Sequence, residues 1–245
     1  MLNNNTLADM ARYLKTLLPP RVSHPSVQAF RDFMVLLYDL LFEDSKKYDK
    51  PNKTPSLSIA VDFPFIYHIR SVLLNIGYHG ELQVDTLSFG GLKTLAPIIC
   101  CEGMESSSKI SIPKLEAYLE FLNECGMYFH GEVTYPDNPA VLEGLKIMAT
   151  AQRDKKWKTN DEIFLRCDYC AVCGEKINID GAINDFAAKF APETRDEIVH
   201  MHQNFIAQGL KCTVRIGLKN SFQYKQSGKI VHEIANSFAT GLIIK

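Results

Sequence analysis

Three cysteines, each separated by two residues, offer the sharpest chemistry in this chain: Cys167-Asp168-Tyr169-Cys170-Ala171-Val172-Cys173-Gly174. They form two overlapping Cys-x-x-Cys pairs that share Cys170. Thiolates at that spacing turn their sulfurs toward one ion, and Gly174 lets the backbone curl around it. Thiolate ligation or a reversible disulfide is the chemistry this run supports.

Cys170 to Gly174 resembles one knuckle of a zinc ribbon, and the three cysteines together resemble part of an iron–sulfur run. Each resemblance implies a ligand the run lacks. A structural zinc takes four ligands, and the chain has no separate Cys-x-x-Cys outside this run, so a fourth would come from Cys212, His200 or His202. The ferredoxin pattern ends on a cysteine followed by proline, and residues 174–181 hold neither. The apolar lead-in Ile163-Phe164-Leu165 predicts a strand over Ile163–Val172, which turns Cys167 and Cys170 to opposite faces. Free cysteine is also a common small core residue. Cys167, Cys170 and Cys173 are therefore expected as buried thiols, with no cofactor; zinc or an iron–sulfur centre is the alternative. A thioredoxin-type pair would sit at a helix N-terminus, and Glu175–Gly181 does not read as helical.

His200-Met201-His202 falls in a helical stretch, where residues two apart face different ways and do not share an ion. His202 lies in a stripe with Ile198, Phe205 and Ile206, which predicts a hydrogen-bonded core histidine. His200 is expected on the surface. Two basic stretches remain. Arg153-Asp154-Lys155-Lys156-Trp157-Lys158 surrounds the only tryptophan with cations; it would grip phosphates with Trp157 stacked on a base, or simply complement a helix C-terminus. The tail carries Lys211, Arg215, Lys219, Lys225, Lys229 and Lys245 against Glu233. A sheet face presenting Lys211, Arg215 and Lys225 with Phe222 and Tyr224 is an anion-site candidate. It would equally complement the acidic stretch from Asp161 to Glu197. No His-Glu-x-x-His, nucleophile elbow, phosphate loop or dinucleotide fingerprint occurs.

Ser111 to Val133 resembles the helix-then-wing end of a winged helix, with Met127–Val133 as the wing. That resemblance implies a recognition helix with cations and amides for phosphates and bases. The helix instead carries Glu116, Glu120 and Glu124 against Lys114, which points to protein contact or solvent.

The elements that must position these residues follow from periodicity and punctuation. Thr6 with Asp9 is a capping box, and Leu7, Met10, Leu14 and Leu17 recur at helical spacing until Pro19-Pro20. A second helix from Ser26 buries Val27, Phe30, Met34, Leu37 and Leu41, its stripe widened by Phe33, Leu36 and Leu40. Residues 43–55 read as a loop. Pro64 leads a helix with Ile66, Ile69, Leu73 and Ile76 inward, and Gly77 ends it. Pro113 leads another with Leu115, Tyr118, Leu122 and Cys125 inward, and Gly126 ends it. Both run from proline to glycine, and both precede a His-Gly-Glu, at 79–81 and 130–132. Residues 62–82 and 111–133 are thus either a duplicated unit or ordinary helix-stop-strand grammar. Glu81–Phe89 alternates as a strand.

Asp137-Asn138-Pro139 starts a helix that runs to about Arg153. Helices are expected over Gly181–Phe190 and Thr194–Gln208, split by Pro192 and closed by Gly209. Strands follow in Lys211–Ile216, Ser221–Lys225, Ile230–Ile234 and Thr240–Ile244, with a hairpin turn at Ser227-Gly228. Adjacent hairpins behind grouped helices make an α+β chain: a helix-rich N-terminal half with a little strand, then helices packed on an antiparallel sheet. A boundary near Tyr135-Pro136 divides 1–134 from 135–245, unless the chain is one domain.

A chain of 245 residues buries a sizeable core without staples. Its net charge of −1 argues against a dedicated nucleic-acid binder. Seven cysteines, two of them adjacent at Cys100-Cys101, make a poor disulfide framework and suit a reducing compartment. The N-terminus lacks a signal-peptide pattern. The longest apolar run, Phe33–Phe42, is broken by Asp39 and falls short of the ~20 residues that span a bilayer. These features place the chain in the cytoplasm, off the membrane. The function expected is a binding or regulatory protein without its own catalytic site, taking a protein or small-molecule partner. The alternatives are a metal or redox protein at the cysteines, a small-molecule enzyme with a pocket between the halves, and a weak nucleic-acid binder.

Overall fold

The computed structural model describes residues 6–48, 63–79, 94–95, 110–111, 115–130, 132–153, 162–167, 177–215, 220–238 and 240–245. The fold is α+β. In the N-terminal part, α1 (Leu7–Leu17) and α2 (Pro25–Glu43) lead into α3 (Ser45–Tyr48) and α4 (Pro64–His79). Then come strands β1 (Thr94–Leu95) and β2 (Ile110–Ser111), α5 (Leu115–Glu124), β3 (Tyr128–His130), β4 (Glu132–Thr134), α6 (Ala140–Arg153) and α7 (Glu162–Leu165). The C-terminal part comprises α8 (Ile179–Ala187), α9 (Pro192–Ala207), β5 (Lys211–Arg215), β6 (Asn220–Gln226), β7 (Lys229–Ser237) and β8 (Gly241–Ile244). β1–β2 and β3–β4 are two-stranded pairs, and β5-β6-β7-β8 is a four-stranded antiparallel meander.

The local signals act as their chemistry dictates. Thr6 Oγ1 accepts from the Asp9 amide at 3.1 Å, and the Asp9 carboxylate accepts from the Thr6 amide in return. Asn138 Oδ1 accepts from the Ala140 amide at the start of α6. Gly126 and Gly209, at φ 87° and 79°, close α5 and α9. In each case the next residue's amide reaches back to a carbonyl of the last turn, Met127 to Leu122 and Leu210 to Phe205.

Elsewhere tertiary packing overrides the local reading. Gly77 does not end α4 but lies inside it. A Cβ there would sit 2.5 Å from Ala149 Cβ and 2.8 Å from the Leu145 carbonyl oxygen, so the glycine admits α6. Gly126 is a true stop, so the two proline-to-glycine helices end differently. Leu36 faces solvent rather than widening the α2 stripe. Within the expected 43–55 loop, Ser45–Tyr48 forms a helical turn because Tyr48 stacks on Phe65 at 4.3 Å and Lys47 bonds Glu124. Glu124 of the winged-helix resemblance is thus spent on an intramolecular contact. The residues expected as a wing pair as the antiparallel strands β3 and β4.

The expected strand at 163–172 is contradicted where it is described: Glu162–Leu165 is a helical turn, closed by the Cys167 amide to the Phe164 carbonyl at 3.1 Å. Phe164, Leu165, Arg166 and Cys167 are all buried. An apolar run buried on every side carries no period to separate strand from helix. Ile179–Gly181 also proves helical: Asn178 Oδ1 caps the Gly181 amide, starting α8 two residues earlier than glycine alone suggested. In β6 the alternation fails because the strand is central. Ser221 and Gln223 are as buried as Phe222 and Tyr224, and both donate to the Glu233 carboxylate. The segment Glu81–Phe89 lies outside the described residues.

Two hydrophobic clusters result. The first gathers buried residues from Leu7 to Cys167, with α6 clamped against α2 and α4. The expected division at Tyr135-Pro136 falls inside its span, because Val141, Leu145 and Met148 belong to it. The second joins Ile183 and Phe186 of α8 and Ile198 of α9 to Cys212, Phe222, Tyr224 and Ile234 of the sheet. The two parts touch where Tyr13 Oη donates to the Asn236 carbonyl at 3.2 Å and Phe238 meets Tyr13 and Phe63.

Candidate functional site

A cleft of about 360 Å³ opens between the end of α1 and the α8–sheet layer. That volume lies within the ~300–1,000 Å³ usual for small-molecule sites. One wall is Leu17 through Arg21, at the end of α1 and the Pro19-Pro20 that follows it. This wall is anchored: Arg31 Nε donates to the Pro19 carbonyl at 2.8 Å, and the Val22 amide donates to Gln28 Oε1 at 2.7 Å. The opposite wall is α8 and its flanks, including Asn178, Gly181, Ala182, Phe186 and Lys189. Val214 of β5 with Asn220 and Phe222 of β6 form the floor, where Phe186 and Phe222 meet edge to face at 5.2 Å. Arg166, only 4% exposed, enters from the turn after α7. That turn is held by Cys167 in the left-handed region at φ 50°, a conformation that costs a non-glycine residue ~1–2 kcal/mol.

Charge in the described lining is uneven. Arg21, Arg166 and Lys189 are cations, and Asp185 is the carboxylate among them. Asn178 and Gly181 belong to the first turn of α8, whose dipole is positive at that end. Asp180 of the same turn is committed elsewhere, with Oδ1 3.1 Å from His202 Nε2.

That contact belongs to a buried polar chain behind the cleft floor. His202 Nδ1 lies 2.9 Å from Tyr224 Oη, and Tyr224 in turn bonds the Cys212 thiol. A carboxylate only accepts, so Nε2 carries the hydrogen toward Asp180. The Tyr224 hydroxyl thus bridges His202 Nδ1 and the Cys212 sulfur. One chain of hydrogen bonds so ties α8, α9, β5 and β6 together. Burial pushes the Cys212 thiol up to about 11 despite the opposing Tyr224 bond, and burial also raises the Tyr224 phenol well above its ordinary value. Both groups are held in their protonated forms, which suits a structural tie and not a nucleophile.

The other site candidates are scattered. Cys167 is fully buried in the first cluster, near Tyr38, whose hydroxyl donates to the Leu165 carbonyl at 2.6 Å. Cys170, Cys173 and Trp157 lie outside the described residues. Among the described residues, no three histidine, cysteine, aspartate or glutamate side chains gather as metal ligands would. Lys211 pairs directly across from Lys225, and Arg215 from Ser221. Cys212 pairs with Tyr224, so Tyr224 faces the helices while Lys211, Arg215 and Lys225 occupy the other sheet face. The structure therefore does not bring Tyr224 together with the three cations. His202 is buried and hydrogen-bonded, and His200 is exposed, both as expected. Sequence reasoning missed Arg21, Arg166, Lys189, Asn178 and Asn220. The one signal near them was Pro19-Pro20, legible as a helix stop and silent about what it faces. Among the described residues, no helix is long and apolar enough to cross a membrane. No protein-family model, curated protein or solved structure matches this chain.

Proposed function

We propose that this protein binds a small molecule in the cleft between α1 and the α8–sheet layer, and acts as a binding or regulatory protein without a catalytic centre of its own. The observation that carries this reading is the cleft of about 360 Å³, walled by residues from both parts of the chain and floored by Phe222 and Val214. The thiols and phenols that might have offered chemistry support it from the other side. Burial holds Cys125, Cys212 and Tyr224 protonated, well above the neutral range.

The test is a thermal-shift screen of small metabolites on the wild-type chain, repeated with Ala182→Phe and Asn220→Phe. Both positions line the cleft and are half-buried, so a new ring fills the space. Ligands that stabilise the wild type should lose at least tenfold in affinity in each variant that keeps its circular dichroism spectrum. Undiminished binding in two folded, cleft-filled variants would refute the assignment of the site.

A further inference from the structure

We infer that β8 is a self-association edge: it pairs antiparallel with β8 of a second copy of this chain and carries one sheet across both. Among the described residues, β5 and β8 are the two edges of the four-stranded sheet. The register of β8 decides which of its backbone groups remain to be paired. Glu233 and Lys245 exchange both backbone bonds at 3.0 Å, and the ladder alternates, so Ile243 and Gly241 also turn their amides and carbonyls toward β7. Leu242 and Ile244 therefore aim theirs away from the sheet, where they meet no partner among the described residues. Ile244 lies opposite Ile234 of the second hydrophobic cluster, yet its own side chain is 41% exposed. Leu242, on the same face, is half-buried.

An edge with free amides and carbonyls is a template for another strand unless charge, proline or a bulge blocks it. The two edges differ in this respect. β5 carries exposed Lys211 and Arg215. Two copies of β5 paired about Thr213 would set Lys211 opposite Arg215 of the second copy, a like-charge clash. β8 reads Gly-Leu-Ile-Ile, with no charge and no proline. Two copies of β8 paired about Ile243 set Leu242 opposite Ile244 of the second copy, and the reverse. Each of those pairs exchanges both of its outward backbone bonds and closes an apolar contact over them. On the other face Ile243 meets Ile243 of the second copy. Lys245 falls opposite Gly241, so no like charges oppose. Moving the axis to Leu242 would call on Thr240, whose amide already donates to Ser237 Oγ at 3.2 Å. The edge is thus complementary to itself, as a two-fold contact requires. At four residues it is shorter than the standard interface of ~1,200–2,000 Å², so the dimer is weak and reversible.

Sedimentation equilibrium of the full chain over about 5–500 µM should show a monomer–dimer equilibrium. Ile244→Lys puts a charge on the edge, and Ile244→Pro removes an outward N–H while sparing the β7 bonds of Ile243 and Lys245. Each variant that keeps its circular dichroism spectrum should raise the dimer dissociation constant at least tenfold. Ile206→Lys, at an apolar position of α9 that is 43% exposed, should leave it unchanged. Ile243→Cys reads the register directly. Facing residues at a non-hydrogen-bonded antiparallel site stand ~4.5 Å apart at Cα, within disulfide reach. Oxidised glutathione should then give a covalent dimer whose peptide map joins position 243 of the two copies. A wild-type chain that stays monomeric across this range, or a dimer that folded Ile244→Lys leaves intact, would overturn the inference. So would an Ile243→Cys chain that self-associates and never cross-links through position 243.

Discussion

Replacing Gly144 by alanine sets two known effects against each other, and the geometry decides which wins. Gly144 lies within α6, and an alanine inside a helix is favoured over glycine by ~1 kcal/mol. Yet a Cβ at 144 would stand 2.0 Å from the Ser26 carbonyl oxygen, 2.6 Å from its carbon and 2.9 Å from Phe30 Cβ. Two of those atoms are α2 backbone, so no side-chain rotation relieves the overlap. The helices must part by an ångström or more. Separation would strain the bond from Ser26 Oγ to the Glu143 carboxylate and loosen packing around Phe30, which has no exposure. Overpacking of a rigid site costs ~1–3 kcal/mol, occasionally more, and the broken hydrogen bond adds ~1 kcal/mol. With the alanine gain subtracted, the net expectation is destabilisation by ~1–3 kcal/mol. With a urea dependence of ~2–3 kcal/mol per molar, the midpoint followed by far-ultraviolet circular dichroism falls by about 0.5–1 M. Gly209→Ala is the control: φ is 79° but a Cβ there meets nothing within 4 Å, so only the left-handed strain of ~1–2 kcal/mol applies. A Gly144→Ala variant as stable as the wild type, or less affected than Gly209→Ala, would refute the close-packed α2–α6 contact.

Two further outcomes follow from the buried polar chain. Tyr224→Phe preserves the ring contact with Phe205 at 4.7 Å but strands His202 Nδ1 and the Cys212 thiol, so urea unfolding should reveal a loss of ~1–3 kcal/mol; no loss would mean the hydroxyl does not link them. Cys212 and Cys125, raised to about 11 and about 12, should resist iodoacetamide in the native chain at pH 8.5 and react once unfolded, as read by peptide mass mapping. The same shifts set a pH window. The folded chain retains these thiol protons above the ordinary thiol value of 9.0, where the unfolded chain releases them. Their contribution to stability is therefore complete below about pH 9 and declines as pH rises toward 11 and 12. Cys212→Ala should flatten that decline, and an unchanged alkaline slope would remove Cys212 from its causes.

Much of the architecture was legible in the chain because its causes are local. A threonine three residues before an aspartate, a proline at a first turn, or a glycine after a last turn acts through atoms a few bonds away. The capping box at Thr6, Pro64 at the head of α4, the stops at Gly126 and Gly209 and the Ser227-Gly228 hairpin all behave so. Amphipathic periods then fixed which faces turn inward, and with them the α+β class. His202 was readable as a core histidine from its stripe, although its partners Asp180 and Tyr224, each 22 residues away, were not.

What tertiary structure alone decided depends on distances between residues remote in sequence. Whether Gly77 ends a helix or admits one turns on where Ala149 lies. At Glu162–Leu165 a helical turn stands where a strand was expected, and Phe164 to Cys167 are all buried, which erases the period that would distinguish the two. Ser221 and Gln223 are buried because β6 is central and Glu233 lies opposite to satisfy them. The cleft is the clearest case. Arg21, Arg166, Lys189 and Phe222 share no spacing and no motif, and each alone reads as an ordinary surface or core residue. They line one space only once α1, the turn after α7, α8 and β6 are folded against it.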